Sequence, residues 1–283
     1  SMSPDTTVKL ASIQWDVELG QVSANLAKAR TLIKQAADEG TRLAVLPEMW
    51  ATSFMAESAY EAASAIADAE AEIQDLSKRN HIILVGTNYE FAEDGKIYNR
   101  ARLYEEGEIL GEYRKIHLFS PLGEDRYFEP GQSACVVDTS LGRVAVAICY
   151  DLRFPELCRA LYLEDATILC LPSMWPEARA LHWRVLARAR AIENQWFVIA
   201  TNRCGFEISA ATGQEVQYPG NSLIVDPTGE IRSKGNGEES IVSTEVDLKE
   251  VAIVRRAIPV SKDRRQDVYE RPNIKAPVQD QVD

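Results

Sequence analysis

The run Val144-Ala-Val-Ala-Ile148 contains no polar side chain. It stops at Cys149, shortly before a segment, Pro155 to Leu163, that reads as a helix. A run that short with no wet face reads as a strand buried in a core. The same alternation recurs along the chain. Val8 to Ile13, Leu43 to Leu46, Ile82 to Gly86, Thr167 to Leu171 and Phe197 to Thr201 read as strands. Leu26, Ala29, Ile33 and Ala36 mark one apolar helix face before Gly40, two alanine-rich helical stretches run from Glu61 to Asn80, and Leu181 to Asn194 reads as a long helix. Asn99 to Tyr104 and Ile109 to Arg114 flank Glu-Glu-Gly-Glu, a hairpin signal, while Ser222 to Val225 and Ile241 to Val246 are further strands around the turn Asp226-Pro-Thr-Gly229. The pattern is that of a mixed α/β chain without a linker.

At 283 residues such a chain has ample length for a sizeable core, so a single domain over 1–283 is expected. The stretch 259–283 is polar, carries Pro259, Pro272 and Pro277 and lacks helical periodicity, which reads as an extended C-terminal tail, either an arm that packs on a partner subunit or, over the last ~10 residues, simple disorder. Ser1 precedes Met2, the expected start, and no charged-then-apolar leader follows. No apolar run approaches the ~18 residues of a membrane span, so no membrane is expected as a partner and a cytoplasmic location is. A net charge of −12 repels polyanions and excludes nucleic acid as a partner. It also fails to steer an anionic substrate, so a substrate carboxylate needs a local cation. Cys135, Cys149, Cys158, Cys170 and Cys204 are odd in number and lack C-x-x-C spacing, which argues against disulfides and against zinc. His81 and His182 have no metal-ligand spacing, and Gly235-Asn-Gly237 lies in a charged turn rather than between a strand and a helix. Neither a metal nor a cofactor is expected.

Chemistry gathers at the strand ends. Cys149 sits where a buried strand gives way to a helix, the position at which α/β folds place nucleophiles. Glu48 follows Leu43 to Leu46 through Pro47, and Lys115 closes Ile109 to Arg114. A carboxylate, an ammonium and a thiol suit acyl transfer. Each alone also has a plain structural reading, as a helix-start acid, an edge-strand lysine and a small core residue. One internal echo stands out: Leu43-Ala-Val-Leu-Pro-Glu-Met-Trp50 and Ile168-Leu-Cys-Leu-Pro-Ser-Met-Trp175 both run strand, Leu-Pro, any residue, Met-Trp. Related sheets would place Trp50 and Trp175 at one end, bordering one substrate pocket.

Three blocks then decide between these readings. Leu46-Pro-Glu48, Tyr113-Arg-Lys-Ile-His-Leu-Phe119 and Cys149-Tyr-Asp-Leu-Arg-Phe-Pro-Glu156 match, in order, the glutamate, lysine and cysteine blocks of the carbon-nitrogen hydrolase (nitrilase) superfamily, which the chain resembles over nearly its whole length. The resemblance implies a four-layer αββα sandwich, a homodimer or higher homo-oligomer, and Glu48, Lys115 and Cys149 as the catalytic triad. It also implies a fourth catalytic glutamate within Gly123 to Gly131, assigned to Glu124 rather than to Glu129 beside the turn.

A thiol of pKa near ~8.5 is mostly protonated at neutral pH, so Glu48 is needed as general base for its attack on an amide carbonyl. The oxyanion would be held by Lys115 and, as the resemblance implies, by the backbone N–H of Tyr150. His117 suggests a Cys-His protease only if something fixes it near Cys149. Tyr150 stands where true nitrilases carry tryptophan, which disfavours nitriles. Ser173-Met-Trp-Pro-Glu-Ala-Arg-Ala-Leu-His-Trp183 and Val246 to Pro259 resemble omega-amidases, which act on 2-oxoglutaramate and 2-oxosuccinamate, though the second segment is similar in deaminated-glutathione amidases too and does not discriminate. Deaminated-glutathione and carbamoyl amidases share the triad chemistry and are the alternatives, and a non-catalytic interaction protein on the same scaffold is the alternative of another class. For the substrate carboxylate, Arg179 after the Trp175-Pro176 turn is expected to be the clamp. Arg153 is the second choice, because Asp151 and Glu156 beside it favour a structural ion pair.

Overall fold

The computed structural model describes residues 6–270. Two six-stranded sheets form its centre. The first has the order β14-β1-β2-β3-β4-β5, from β1 (Thr7–Gln14), β2 (Thr41–Val45), β3 (Ile83–Phe91), β4 (Ile97–Glu105), β5 (Glu108–Arg114) and β14 (Ser240–Asp247). The second has the order β13-β12-β9-β8-β7-β6, from β6 (Cys135–Thr139), β7 (Gly142–Val146), β8 (Ile168–Ser173), β9 (Phe197–Asn202), β12 (Leu223–Val225) and β13 (Ile231–Lys234). A two-stranded ribbon, β10 (Cys204–Ile208) with β11 (Glu215–Pro219), stands apart.

Side-chain alternation fixes the layers. On β1, Val8 and Leu10 point into the space between the sheets, whereas Ala11 and Ile13 point to the opposite side, against α1 (Val22–Asp38) and α2 (Ala63–Arg79). Strand β2 repeats this, with Leu43 and Val45 inward and Ala44 outward. On the far side, α4 (Pro155–Leu163) and α5 (Ala180–Asn194) cover the second sheet, burying Leu161, Trp183 and Ala187. Central strands are therefore covered on both faces, which is why they read as continuous apolar runs. Helix, sheet, sheet and helix make the expected four-layer αββα sandwich.

The echoed Leu-Pro words occupy equivalent places. Strand β2 lies between β1 and β3, all parallel, and β8 lies between β7 and β9, all parallel. Each half thus runs strand, helix, strand, helix, strand, and each echoed word ends the middle strand.

Some elements depart from expectation. The stretch Glu61 to Asn80 holds a single α-helix, α2 (Ala63–Arg79), entered from a 3-10 turn at Ala56–Ala62. Glu106 (φ 50°) and Gly107 (φ 78°) close the β4–β5 hairpin as a two-residue turn with both residues left-handed, the geometry that glycine permits there. Helix α6 (Lys249–Ala257) follows β14, and the C-terminal stretch then forms two single turns, α7 (Val260–Asp263) and α8 (Gln266–Tyr269). Turns of four residues need no amphipathic repeat, so the sequence gives no periodic sign of them. The remainder of the expected tail, 271–283, lies outside the described residues. No helix among the described residues is long and apolar enough to cross a membrane.

Candidate active site

Four strand or helix ends converge. Beyond β2, the backbone N–H of Glu48 donates to the carbonyl of Ser173 (3.3 Å) at the end of β8, so the two echoed words meet across the sheets. Lys115 follows β5, with its N–H on the Asn99 carbonyl of β4 (2.8 Å) and its own carbonyl accepting from Gly131 N–H (2.8 Å). Any Cβ at Gly131 would collide with the Arg114 carbonyl, which accounts for glycine in the Glu-Pro-Gly turn. Glu124 opens α3 (Glu124–Tyr127) behind Gly123, and its carboxylate accepts from the Phe119 N–H (2.8 Å). Cys149 begins a short 3-10 turn directly after β7 with φ 42°, a left-handed conformation uncommon for a residue with a side chain. Backbone strain of this kind concentrates at functional sites.

The side chains form one buried cluster. Lys115 Nζ lies 2.8 Å from Glu48 Oε2 and 2.9 Å from Glu124 Oε2. Asn99 Nδ2 donates to the same Glu48 oxygen at 2.8 Å, and the Met174 N–H donates to the other, Oε1, at 3.2 Å. Burial raises the Glu48 carboxyl above its ordinary value, with Lys115 opposing and Glu124 reinforcing the rise. Burial also works against the Lys115 ammonium, but Glu124 and Glu48 overcome it and hold the group well above the lysine range. The Cys149 thiol is driven well up by burial and by Glu48, against the pull of Lys115. The resting state is a protonated thiol beside an ammonium shared by two carboxyl groups. The Lys115 ammonium, with three donors, reaches Glu48 Oε2 and both oxygens of Glu124 (Oε2 at 2.9 Å, Oε1 at 3.2 Å), and the longer of the two Glu124 contacts is the one an incoming oxygen can displace at least cost.

Asp151, two residues beyond Cys149, ties this turn to the lysine block. Its Oδ2 accepts from Tyr113 Oη (2.5 Å) and from the Ile148 N–H (2.9 Å), and Oδ1 accepts from the His117 N–H (3.2 Å) and contacts His117 Nδ1 (2.7 Å). His117 also stacks on Phe154 at 3.6 Å. Its ring nitrogen is thus held by Asp151, and the histidine serves the scaffold of the turn.

Cys149 and Glu124 open into a cavity of about 350 Å³, open mouth included, walled by Phe119, Tyr150, Met174 and Trp175 and carrying Arg153 and Arg179. The two guanidiniums are neighbours: burial, and then the charge of Arg179, pull Arg153 below the usual arginine value. Among the described residues neither has a carboxylate partner. The ion pair expected for Arg153 is absent, because Asp151 is wholly buried and engaged by Tyr113 and His117. Arg153 instead lies over the Trp175 ring (4.8 Å) and contacts His182 Nδ1 (3.1 Å). The Trp175 indole donates to the Arg179 carbonyl (2.8 Å). Trp50 corrects a second expectation. It packs edge-on against Trp15 (6.4 Å) and over Gly86, outside the cavity, because the helix side of the first sheet already encloses it. Glu129 is exposed and away from Lys115; Glu124 alone of the two joins the cluster. Sequence reading missed Asn99, for which no pattern gives a sign, and the Asp151 tie, whose members were visible within the lysine and cysteine blocks.

Known proteins resemble this chain over nearly its whole length. The carbon-nitrogen hydrolase family model matches residues 9–256. The 2-oxoglutaramate amidase of Bacillus subtilis is 34% identical over 92% of this chain and 98% of its own length. An omega-amidase of Homo sapiens is 32% identical over 93% of this chain and 97% of its own. Among solved structures, a carbon-nitrogen hydrolase from Helicobacter pylori superposes with a TM-score of 0.87 at 28% identity, covering 94% of this chain and 98% of that one. Saccharomyces cerevisiae Nit3 superposes with a TM-score of 0.80 at 30% identity over 92% and 97% of the two chains. With motif order, layer architecture and near-complete coverage in agreement, this chain belongs to the carbon-nitrogen hydrolase family.

Proposed function

We propose that the enzyme is an omega-amidase, hydrolysing the terminal carboxamide of a short 2-oxo acid such as 2-oxoglutaramate or 2-oxosuccinamate, with Glu48, Lys115, Cys149 and Glu124 as its catalytic residues. The observation that carries the substrate class is the pair Arg153 and Arg179, without carboxylate partners among the described residues, in the cavity that holds Cys149. Two adjacent cations in a protein of net charge −12 are relieved by an anionic ligand. A guanidinium offers a carboxylate two parallel hydrogen bonds. The names of the relatives, 2-oxoglutaramate amidase and omega-amidase, support the same substrates.

The Cys149 sulfur adds to the amide carbon as Glu48 takes the thiol proton. The oxyanion meets the Lys115 ammonium, displacing its longer contact to Glu124 Oε1, and the backbone N–H of Tyr150. Collapse breaks the C–N bond while Glu48 passes its proton to the leaving nitrogen, releasing ammonia and leaving a thioester. Glu48 then deprotonates a water that attacks the thioester, and the thiol is restored with release of the acid. Glu124 holds Lys115 from the other side, a positioning role. No cofactor or metal enters these steps. Five free cysteines, all buried, suit a reducing compartment, and we assign the cytoplasm. The exposed Leu181, Val185 and Ile192, on one face of α5, support a homodimer.

Ammonia release measured on 2-oxoglutaramate, glutamine, N-carbamoyl amino acids and simple nitriles is expected to favour 2-oxoglutaramate. Arg179→Ala and Arg153→Ala should each raise KM for it by about 10- to 100-fold, with much less effect on a neutral amide of similar length. Equal losses on charged and neutral amides, or a better neutral substrate in the native enzyme, would overturn the substrate class.

A further inference from the structure

We propose that Asn99 is a positioning residue that decides which oxygen of Glu48 takes the proton from Cys149. Asn99 sits on β4 opposite Lys115, to which its backbone is hydrogen-bonded, and both side chains reach the same atom: Asn99 Nδ2 and Lys115 Nζ each lie 2.8 Å from Glu48 Oε2. With two donors on Oε2, that oxygen has little capacity left to accept a proton. Among the described residues, Oε1 has one backbone donor, the Met174 N–H at 3.2 Å. The same N–H interacts with the Cys149 thiol, so Oε1 is the oxygen on the sulfur side. Lys115 moves its attention to the oxyanion during the reaction, whereas Asn99 carries no charge and has no other task. It holds the carboxylate plane while the ammonium is engaged elsewhere.

The amide orientation is itself informative. Asn99 Oδ1 is buried and, among the described residues, has no hydrogen-bond partner. Leaving a buried acceptor unsatisfied costs about 1–3 kcal/mol, so Asn99 is kept at some expense in stability. The compensation is its donor on Glu48. Hydrogen bonds to an ionised carboxylate favour that form, which keeps a group that burial pushes upward available as a base.

This role presupposes Glu48 as the general base of the proposed reaction, and the experiment separates the two. Asn99→Leu removes the donor together with the orphan acceptor, so the fold should hold by thermal melting. On 2-oxoglutaramate, kcat should fall about 10- to 100-fold with little change in KM, and the acid limb of the pH–rate profile should move up by about one to two pH units. Asn99→Asp, similar in shape, places a second carboxylate at Oε2 and should move the limb further in the same direction. That variant carries the comparison if the leucine protein does not fold. A merely structural role predicts lower melting temperature and lower rate at every pH with the limb unmoved, and that result overturns the proposal. Glu48→Gln, measured alongside, tests the reaction itself: activity there sinks the general base, whereas an inactive Glu48→Gln with an unmoved limb in both Asn99 variants sinks Asn99 alone.

Discussion

At the scale of single residues, the site turns on a buried ammonium between two carboxyl groups. Lys115 and Glu48 are both almost wholly inaccessible, so each depends on the other for its charge. The sign of the pH dependence follows. Glu48 is raised above the ordinary carboxylate value of 4.5, so below its shifted pKa it is protonated and cannot accept the thiol proton. Activity is therefore expected to fall on acidification, with a limb above the usual carboxylate range. Stability has the opposite sense: the native state holds that proton more tightly than the unfolded chain, so this group's contribution declines as pH rises between the two values. Glu48→Gln should abolish the limb and lower kcat by at least ~10²-fold, and Lys115→Met should cost about 10²- to 10³-fold through the lost oxyanion donor. Rates near the native value in pH-resolved steady-state kinetics would show that the cluster is not the machinery. Glu48, Lys115 and Cys149 were legible because each stands at the end of a recognisable strand within a recognisable block. Arg153 was misjudged because proximity in sequence suggested Asp151 as its partner, whereas the fold gives Asp151 to the buried side of the turn. Nothing local to Asn99 discloses it: its partner lies 51 positions away.

Elements explain how a cysteine is held in a left-handed conformation. The strand β7 ends, the chain turns at once, and Asp151 captures the Ile148 N–H, closing the turn from below while gripping Tyr113 and His117 on either side of Lys115. The Cys149 turn and the Lys115 segment are thus tied by one carboxylate. Burial and Asp151 push the Tyr113 phenol up, so it stays protonated as the donor. Asp151→Ala strands several buried donors at once and is expected to cost about 2–5 kcal/mol, read as a lower denaturant midpoint. Asp151→Asn keeps the shape and should recover part of the stability. An alanine variant as stable as the native protein would show that the tie contributes nothing. Elements buried on two sides were the ones the sequence disclosed. Strands β6, β10, β11 and β13 went unread because they are short and carry exposed positions, so their apolar residues form no run. The ribbon β10–β11 even exposes Phe206 and Ile208.

For the whole molecule, the repeated Leu-Pro-x-Met-Trp words carried information about architecture and misled about the pocket. They end the middle strands of two halves with the same order of elements, and they meet where Glu48 contacts Ser173 and Met174. Equivalent topology does not give equivalent surroundings. Trp175 faces the cavity because the arginine turn Glu177–Arg179 stands beside it, while Trp50 is enclosed by its own sheet and helices. That turn leads directly into α5, so the proposed assembly would bear on the site there. Leu181 and Val185 are 60% and 51% exposed one helical turn apart, and Ile192 extends the same face at 54%. Ile258 lies nearby, held by Gln195 at the end of α5, and is also exposed. In the proposed homodimer the two α5 faces would pack about a twofold axis, burying the apolar stripe and steadying the helix that Arg179 caps. Charges introduced there oppose burial directly, so Leu181→Glu with Val185→Glu should give a monomer by sedimentation velocity while circular dichroism remains native. Because Arg179 then loses its braced support, KM for 2-oxoglutaramate should rise several-fold, with Cys149 still alkylated at the native rate. A dimer that persists with both glutamates in place would show that the subunits meet elsewhere and that the exposed face of α5 is not their contact.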